Sequence, residues 1–210
     1  MNEKNTGVSG RGIVKLTGKY AVSEDRDITE LNYDLNNLKA KDFLEIEKEL
    51  TYQNEFVLTS KIEFIDFYFV LVAAKASNVP TEVLDIMNVQ DISAITNAIS
   101  KELMHFSHNG AKEDLKMVIL ENPIVLKDTT IEEIFLDFDS IKGSDLRDIE
   151  RTYQKRGVVP AIKKQFSELY CLTCAAKATG LNLSSFDKLS WKDHKMVVTL
   201  VQTFLHEVGA

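Results

Sequence analysis

Apolar residues change their spacing along the chain in the same order twice. Over residues 28–33, and again over residues 131–138, they alternate with polar residues, which is the spacing of a β-strand with one buried face. A shorter apolar run precedes each of these segments, at residues 13–16 and 117–120, and polar residues lie between. The pattern predicts a β-hairpin at the head of each half of the chain.

Helical spacing follows each hairpin. Apolar side chains recur on one side of residues 41–52 and of residues 145–156, as in an amphipathic helix. A central helix, a short helix and a last helix are predicted after each of these segments. The central helices are predicted at residues 61–77 and 163–179, and the last helices at residues 88–105 and 190–208.

Local signals mark several helix ends. Asn78 and Gly180 follow the two central helices, and both residue types tolerate the left-handed conformation with which many helices end. Asn88 and Ser190 each precede an aspartate by three positions, a pattern typical of the first turn of a helix. The two halves therefore place the same signals at matching points.

The two halves also share sequence. Residues 72–79 (Val-Ala-Ala-Lys-Ala-Ser-Asn-Val) and 174–181 (Cys-Ala-Ala-Lys-Ala-Thr-Gly-Leu) correspond at an offset of 102 positions, and upstream segments correspond at an offset of 103. Matches that span a whole unit indicate an internal duplication. We therefore expect an α+β protein, mainly α, with two homologous repeats, each a β-hairpin followed by about four helices.

This duplication predicts the domain organisation. A disordered tail is expected at residues 1–11, repeat one at 12–106, a linker at 107–114 and repeat two at 115–210. The tail is polar and unlike a signal peptide, and the most apolar run, residues 67–74, is too short to span a bilayer. A cytoplasmic location without membrane contact is the expectation.

Charge narrows the class of partner. The net charge of −7 argues against a nucleic-acid-binding surface, which normally carries a basic excess. Residues 28–105 contain 13 acidic and 6 basic side chains, whereas residues 131–208 contain 11 of each. The two repeats therefore need not share a partner.

Few residues are candidates for chemistry. Cys171 and Cys174 form a Cys-x-x-Cys, but they correspond to Phe69 and Val72 of the first repeat, so we expect reduced cysteines in an apolar core. His105 and His108 supply only two of the four ligands that a zinc site needs. We predict no metal site and no cofactor.

Two pairs of aspartates recur at matching positions. They are Asp34 with Asp137, and Asp42 with Asp145. A carboxylate pair can act as acid and base, but side-chain oxygens at helix starts commonly cap free N–H groups, and we favour capping. No nucleophile or glycine-rich phosphate loop accompanies them, so we predict no catalytic residues and no enzyme activity.

Two features suggest partner binding. The first central helix is apolar nearly all round, which means either that two layers cover it or that it forms an interface. Arg147, Arg151 and Lys155 recur every four residues and form one basic stripe, either on a solvated face or for docking an acidic helix. The candidate partner-binding residues are Phe64, Phe67, Phe69, Arg147, Arg151 and Lys155.

Four short motifs occur in repeat two in a fixed order. They are Leu120-Glu121-Asn122-Pro123-Ile124, Gly143-Ser144-Asp145-Leu146, Ala178-Thr179-Gly180-Leu181 and Leu189-Ser190-Trp191-Lys192-Asp193. This ordered pattern resembles the tail assembly chaperone families of tailed bacteriophages. Repeat one matches from Leu31 onward, with Gly18-Lys19 in place of Asn-Pro and Asn78 in place of Gly.

The resemblance implies a non-enzymatic role in phage or prophage tail morphogenesis. Such chaperones bind the long, helical tape-measure protein in the host bacterial cytoplasm and are absent from the mature virion. A second copy of the chain and the tail tube protein are further candidate partners. The alternatives are a structural or adaptor protein that stays in a tail or tail-like particle, and, as the least favoured, an enzyme.

Overall fold

The computed structural model describes residues 9–53, 65–106, 111–112, 116–155 and 164–207, which form a mostly helical α+β structure. The elements in chain order are β1 (Arg11–Ser23), β2 (Arg26–Asp34), α1 (Ala40–Lys48), α2 (Asp66–Ser77), α3 (Thr81–Asp85), α4 (Val89–Met104), β3 (Ala111–Lys112), β4 (Met117–Val125), β5 (Thr130–Phe135), α5 (Gly143–Lys155), α6 (Glu168–Thr179), α7 (Leu183–Phe186) and α8 (Trp191–Glu207).

The described residues form two compact units. Unit 1 comprises residues 9–38 and 65–106, and unit 2 comprises residues 39–53 together with the described residues from 111 onward. Helix α1 therefore belongs to unit 2, although the sequence placed it within repeat one. Its sequence pattern predicts the helix correctly but does not show which core the helix joins, because that choice depends on contacts with residues distant in sequence.

Unit 1 is built on the β1–β2 hairpin. The two strands pair antiparallel, with Val14 opposite Leu31, and the register shifts between Lys15 and Tyr20. Helix α2 packs against β2, α3 and α4, and α4 also packs against β1. Eight of the residues from Tyr68 to Ala76 in α2 are buried, which places this helix in the centre of the core.

Unit 2 also contains an antiparallel hairpin, with an additional strand. Strands β4 and β5 pair antiparallel, with Val118 opposite Ile134, and the register shifts between Ile119 and Ile124. Strand β3 pairs with the outer side of β4. Helix α6 lies in the core and packs against α1, α5, α7 and α8. An all-round apolar central helix thus has neighbours on several sides.

The central helices end where the sequence predicts. Asn78 and Gly180 are their C-caps, and both adopt left-handed conformations, with φ of 52° and 71°. Both helices begin later than predicted, at Asp66 and Glu168. For α6 the reason is local: a 3₁₀ turn occupies Lys164–Phe166, and the Ser167 hydroxyl then accepts the N–H of Tyr170 at 3.2 Å.

Some residues of the predicted tail and linker belong to β-strands. Strand β1 begins at Arg11, and the side chain of that residue pairs with Asp34 at 2.9 Å. Residues 111–112 of the predicted linker form β3. Residues 9–10 of the predicted tail are also described, and the carbonyl of Gly10 accepts the N–H of Leu35 at 2.7 Å. Residues 1–8, 107–110 and 113–114 lie outside the described residues.

Candidate functional site

A buried glutamate joins α1 to the first turn of α6. Glu47 is fully buried, and its Oε2 accepts the backbone N–H of Leu169 at 2.9 Å. Its other oxygen, Oε1, accepts a hydrogen bond from the hydroxyl of Ser167. The first N–H groups of a helix have no partner within the helix, so Glu47 satisfies donors that burial would otherwise leave unpaired.

Glu168, the first residue of α6, contacts a second set of buried polar groups. Glu168 Oε2 lies 3.1 Å from Nε2 of His194, and its Oε1 accepts a hydrogen bond from the ammonium group of Lys195. Phe43 of α1 covers both partners: its ring stacks on His194 with centroids 5.1 Å apart, and Lys195 Nζ lies 5.3 Å from the ring centroid. Helix α1 therefore forms the lid of this cluster.

The two glutamates have opposite electrostatics. Burial raises the pKa of Glu47 to about 8, helped by the nearby charge of Glu168. Burial also acts to raise the pKa of Glu168, but the charge of Lys195 and the contact with His194 outweigh it, so this pKa is lowered. At neutral pH, Glu47 is therefore neutral and Glu168 is ionised.

The cluster fastens α1 to α6 and α8 inside the core of unit 2. Glu47, Glu168 and His194 are fully buried, and Lys195 is nearly so. At the offset of 103 positions the sequence aligns Glu47 with Glu150, but it does not indicate the contact between Glu47 and Ser167. A signal was present, since His194 and Lys195 occupy the positions of Ile92 and Ser93 in the other repeat.

Aspartates at matching positions hold the last helix of each unit to its hairpin. Asp91 accepts the backbone N–H groups of Thr17 at 2.7 Å and Gly18 at 3.1 Å. Asp193 accepts those of Glu121 at 2.8 Å and Asn122 at 3.2 Å. In both units these N–H groups lie where the register of the hairpin shifts, so the carboxylate replaces the missing ladder hydrogen bonds.

The hydrogen bonds also set the ionisation of Asp91. Burial opposes its charge, but the N–H of Thr17, the hydroxyl of Tyr20 and the N–H of Gly18 lower its pKa to about 2. Asn88 starts α4 as predicted, because its side chain accepts the N–H of Asp91 at 2.9 Å. Ser190 caps α8 in the same way.

The structure separates the three candidate phenylalanines. Phe64 lies outside the described residues. Phe67 is partly exposed at the start of α2. Phe69 is only 5% exposed, so its assignment to a partner surface is wrong: α2 is a core helix, and Phe69 packs edge-on against Tyr68 at 5.5 Å between ring centroids.

The basic stripe lies on the exposed side of α5. Arg147, Arg151 and Lys155 are all exposed. Arg151 pairs with Asp148 at 3.3 Å across one helical turn, and the side chains of both are largely in solvent. Such a pair contributes little to stability, so the stripe is free to meet an external charge. It is not close in sequence to Phe67, and the two features belong to different units.

The remaining candidates are structural. Cys171 and Cys174 are buried thiols as predicted, and burial raises the pKa of Cys174 to about 12. Asp34 caps a turn by accepting the N–H of Asn36 at 3.0 Å, and Asp145 accepts that of Lys142 at 2.9 Å. Asp42 accepts the N–H of Lys39 in the same way, whereas Asp137 precedes a 3₁₀ turn without a side-chain cap.

Other kinds of site have limited support. Within the described ranges, no group of three or more His, Cys, Asp or Glu side chains is placed to hold a metal ion. His108 of the His-x-x-His pair lies outside those ranges. A groove of about 320 Å³ beside the end of α8 is open to solvent and has a mixed lining, with apolar surface and the side chains of Gln165, Phe166, Gln202, His206 and Glu207. None of the helices described here has the length and apolar character needed to cross a membrane.

Comparisons with known proteins leave the family open. No family model, no curated protein and no solved structure matches this chain. The fold and the site define the protein only as a mainly helical α+β protein with two hairpin-headed units.

Proposed function

We propose that the chain is an assembly chaperone of tailed bacteriophages. It binds the helical tape-measure protein in the host cytoplasm, keeps it soluble during tail assembly and does not remain in the mature virion. The proposal starts from the ordered motifs of repeat two, whose pattern resembles these chaperones. It includes no catalytic role, and the burial of the Glu47–Glu168–His194–Lys195 cluster is consistent with that.

One observation carries the proposal: motifs that are far apart in sequence meet in space. Asp193, from the Leu-Ser-x-x-Asp motif, accepts the N–H groups of Glu121 and Asn122 in the Leu-x-x-Pro-Ile motif. Asp145, from the Gly-x-Asp-Leu motif, pairs at 3.2 Å with Lys177 in the alanine-rich helix. The pattern thus describes one folding unit, which makes a chance match of short fragments a poor explanation.

The proposal includes an internal duplication of that unit. Residues 12–105 and 116–206 are expected to superpose as copies. The equivalent contacts of Asp91 and Asp193, the matched register shifts and the left-handed caps at Asn78 and Gly180 support this. The aspartate contacts and the register shifts each depend on several positions at once, so their recurrence favours common origin over convergence.

Co-expression tests the proposed function. The chain is produced together with the very long helical protein encoded by a neighbouring reading frame, and the soluble fraction is purified through a tag on the chain. We expect the long protein to be soluble and to co-purify only when the chain is present. A long protein that is equally soluble alone contradicts the proposal, and recovery of the chain in purified particles favours a structural role.

A further inference from the structure

The first residues of α1 form backbone hydrogen bonds with the segment that precedes α8 in unit 2. The N–H of Ala40 donates to the carbonyl of Leu189 at 3.0 Å, and that of Lys41 to the carbonyl of Asp187 at 3.3 Å. One turn later Phe43 stacks on His194. We call the receiving residues the α1 seat; they are residues 167–169, 187–191 and 194–195.

Most of the residues on the corresponding surface of unit 1 are exposed among the parts of the chain that the structure describes. At the offset of 102 positions the α1 seat corresponds to residues 65–67, 85–89 and 92–93, which we call the unit 1 seat. Trp191 is 1% exposed in the α1 seat, whereas its counterpart Val89 is 84% exposed. His194 is fully buried, whereas its counterpart Ile92 is partly exposed.

The unit 1 seat is also more apolar than the α1 seat. Ile92 stands in place of His194, and Ile65 in place of Ser167. Ile86, at its rim, is 69% exposed. Exposed apolar side chains that line up along the counterpart of an occupied helix-binding surface mark an interaction site.

We propose that the unit 1 seat binds one amphipathic helix of the client. The proposal rests on the proposed function, because it takes the client to be the helical tape-measure protein, and it places the binding site for that client. By analogy with α1, the helix lies across the starts of α2 and α4 with its apolar side chains one turn apart. The occupied α1 seat supplies the geometry of this complex.

A second copy of this chain is a poorer occupant. The helices that it could offer by analogy are α1 and α5, and both already pack against α6 within unit 2. Releasing α1 would uncover Glu47, Glu168 and His194 from their buried hydrogen bonds, at a large cost in free energy. A client helix that has not yet found a partner has no such contacts to lose.

The seat also specifies the chemistry of the client helix. In unit 2 the buried Glu47 meets the hydroxyl of Ser167, but the counterpart of Ser167 is Ile65, so the client carries an apolar residue at this position. Asp66 is exposed and has no ion pair among the described residues. A lysine or arginine beside the apolar stripe of the client is therefore expected to pair with Asp66.

A peptide derived from α1 tests the seat directly. The probe is a fluorescent peptide of residues 39–53 with Glu47→Leu, titrated with the full chain. We expect the unaltered chain to bind this peptide. The double variant Ile86→Glu/Val89→Glu should bind it with an affinity at least about tenfold lower, because two apolar contacts are lost. The control variant Ile13→Glu/Met104→Glu replaces two other exposed apolar residues of unit 1 and should bind as the unaltered chain does.

Three outcomes overturn the assignment. They are no binding by the unaltered chain, equal binding by the two double variants, and a self-association of the chain that only Ile86→Glu/Val89→Glu abolishes. The last result, from sedimentation velocity, would make a second copy the occupant. Both substituted residues are exposed, so folding should be unaffected, and circular dichroism checks this.

Co-expression separates this inference from the proposed function. If the unaltered chain fails to hold the long helical protein in solution, the proposed function itself fails. If the unaltered chain and Ile86→Glu/Val89→Glu both hold it, the function stands and the seat assignment fails. Loss of the complex in this variant, with retention in Ile13→Glu/Met104→Glu, supports both.

Discussion

The hydroxyl of Ser167 donates a hydrogen bond to Glu47, a residue 120 positions earlier in the chain. This contact brings a helix from the first half of the sequence into the core of unit 2. Because Glu47 is buried with a raised pKa, the contact also makes the stability of the unit depend on pH in a way that can be measured.

Replacement of Glu47 by glutamine should flatten the pH dependence of stability. The pKa of Glu47 rises from 4.5 to about 8 on folding, so between these values the folded state holds a proton that the unfolded state has released. Stability from this group is complete below pH 4.5 and falls with rising pH by up to about 1.4 kcal/mol per unit. Urea unfolding at pH 5, 6, 7 and 8 measures the slope.

The glutamine variant isolates this group, since all other titrating residues remain. We expect the free energy of unfolding of the unaltered chain to fall more steeply than that of Glu47→Gln across this range. Equal slopes would mean that Glu47 is ionised in the folded state. Glu47→Ala is a second comparison. Unlike glutamine, alanine leaves the N–H of Leu169 without its acceptor, so this variant should be less stable than the unaltered chain at every pH.

Replacement of Asp91 by alanine should destabilise unit 1. The carboxylate accepts two backbone N–H groups from β1 and the hydroxyl of Tyr20 at 2.7 Å, so its loss should cost on the order of 2 to 3 kcal/mol. Asp85→Ala, at an exposed position, is the matched control and should change stability little.

The destabilisation caused by Asp91→Ala should be smaller at acid pH. The pKa of Asp91 falls from 3.8 to about 2 on folding, so its contribution is present above pH 3.8 and is lost as pH falls towards 2. Thermal unfolding of both proteins from pH 6 down to pH 2.5 checks this. A constant difference in stability over that range would count against a charged, hydrogen-bonded Asp91.

The two cysteines should act as apolar packing. Changing Cys171 and Cys174 together to alanine should lower stability by on the order of 1 to 2 kcal/mol and leave partner binding intact, because buried sulfur is replaced by smaller side chains. The thiols of the folded protein should also react slowly with a thiol reagent, since the pKa of Cys174 is raised to about 12. Stoichiometric zinc, or labelling as fast as in urea, would contradict this.

Charge reversal on α5 should weaken the client complex in a salt-dependent way. The variant Arg147→Glu/Arg151→Glu changes exposed residues, so the fold should be kept while long-range attraction to an acidic partner is lost. Lys101→Glu/Lys127→Glu makes the same change in net charge at other exposed positions. In pull-downs, the stripe variant should recover less client than the control variant at low salt, and the two should recover equal amounts at high salt. Equal recovery at low salt as well would show that the stripe, including Lys155, is not part of the binding surface.

Local chemistry was readable from the sequence. Asn78 and Gly180 were predicted as helix ends because a left-handed cap depends on the residue itself and its immediate neighbours. The buried cysteines followed from their counterparts Phe69 and Val72. The hairpins and most helices followed from apolar spacing, which reflects burial on one face.

Contacts between distant residues were not readable in the same way. Asp91 and Asp193 matched in the sequence, yet their acceptor role depends on strands more than 70 positions away. Phe69 was assigned to a partner surface because an all-apolar helix fits a core and an interface equally well. The position of α1 in unit 2 depends on the exact placement of Ser167 and His194, which no local pattern encodes.

The position of α1 in unit 2 means that the second half of the chain cannot be separated from the first without disturbing a core. A fragment of residues 111–210 would lack α1, so the ring of His194 and the ammonium group of Lys195 would lose their contacts with Phe43. This fragment is therefore expected to be less stable than the whole chain until another helix takes the place of α1. A gene that encodes residues 111–210 without α1 would need a compensating change in this core, because unit 2 takes α1 from the first half of the sequence.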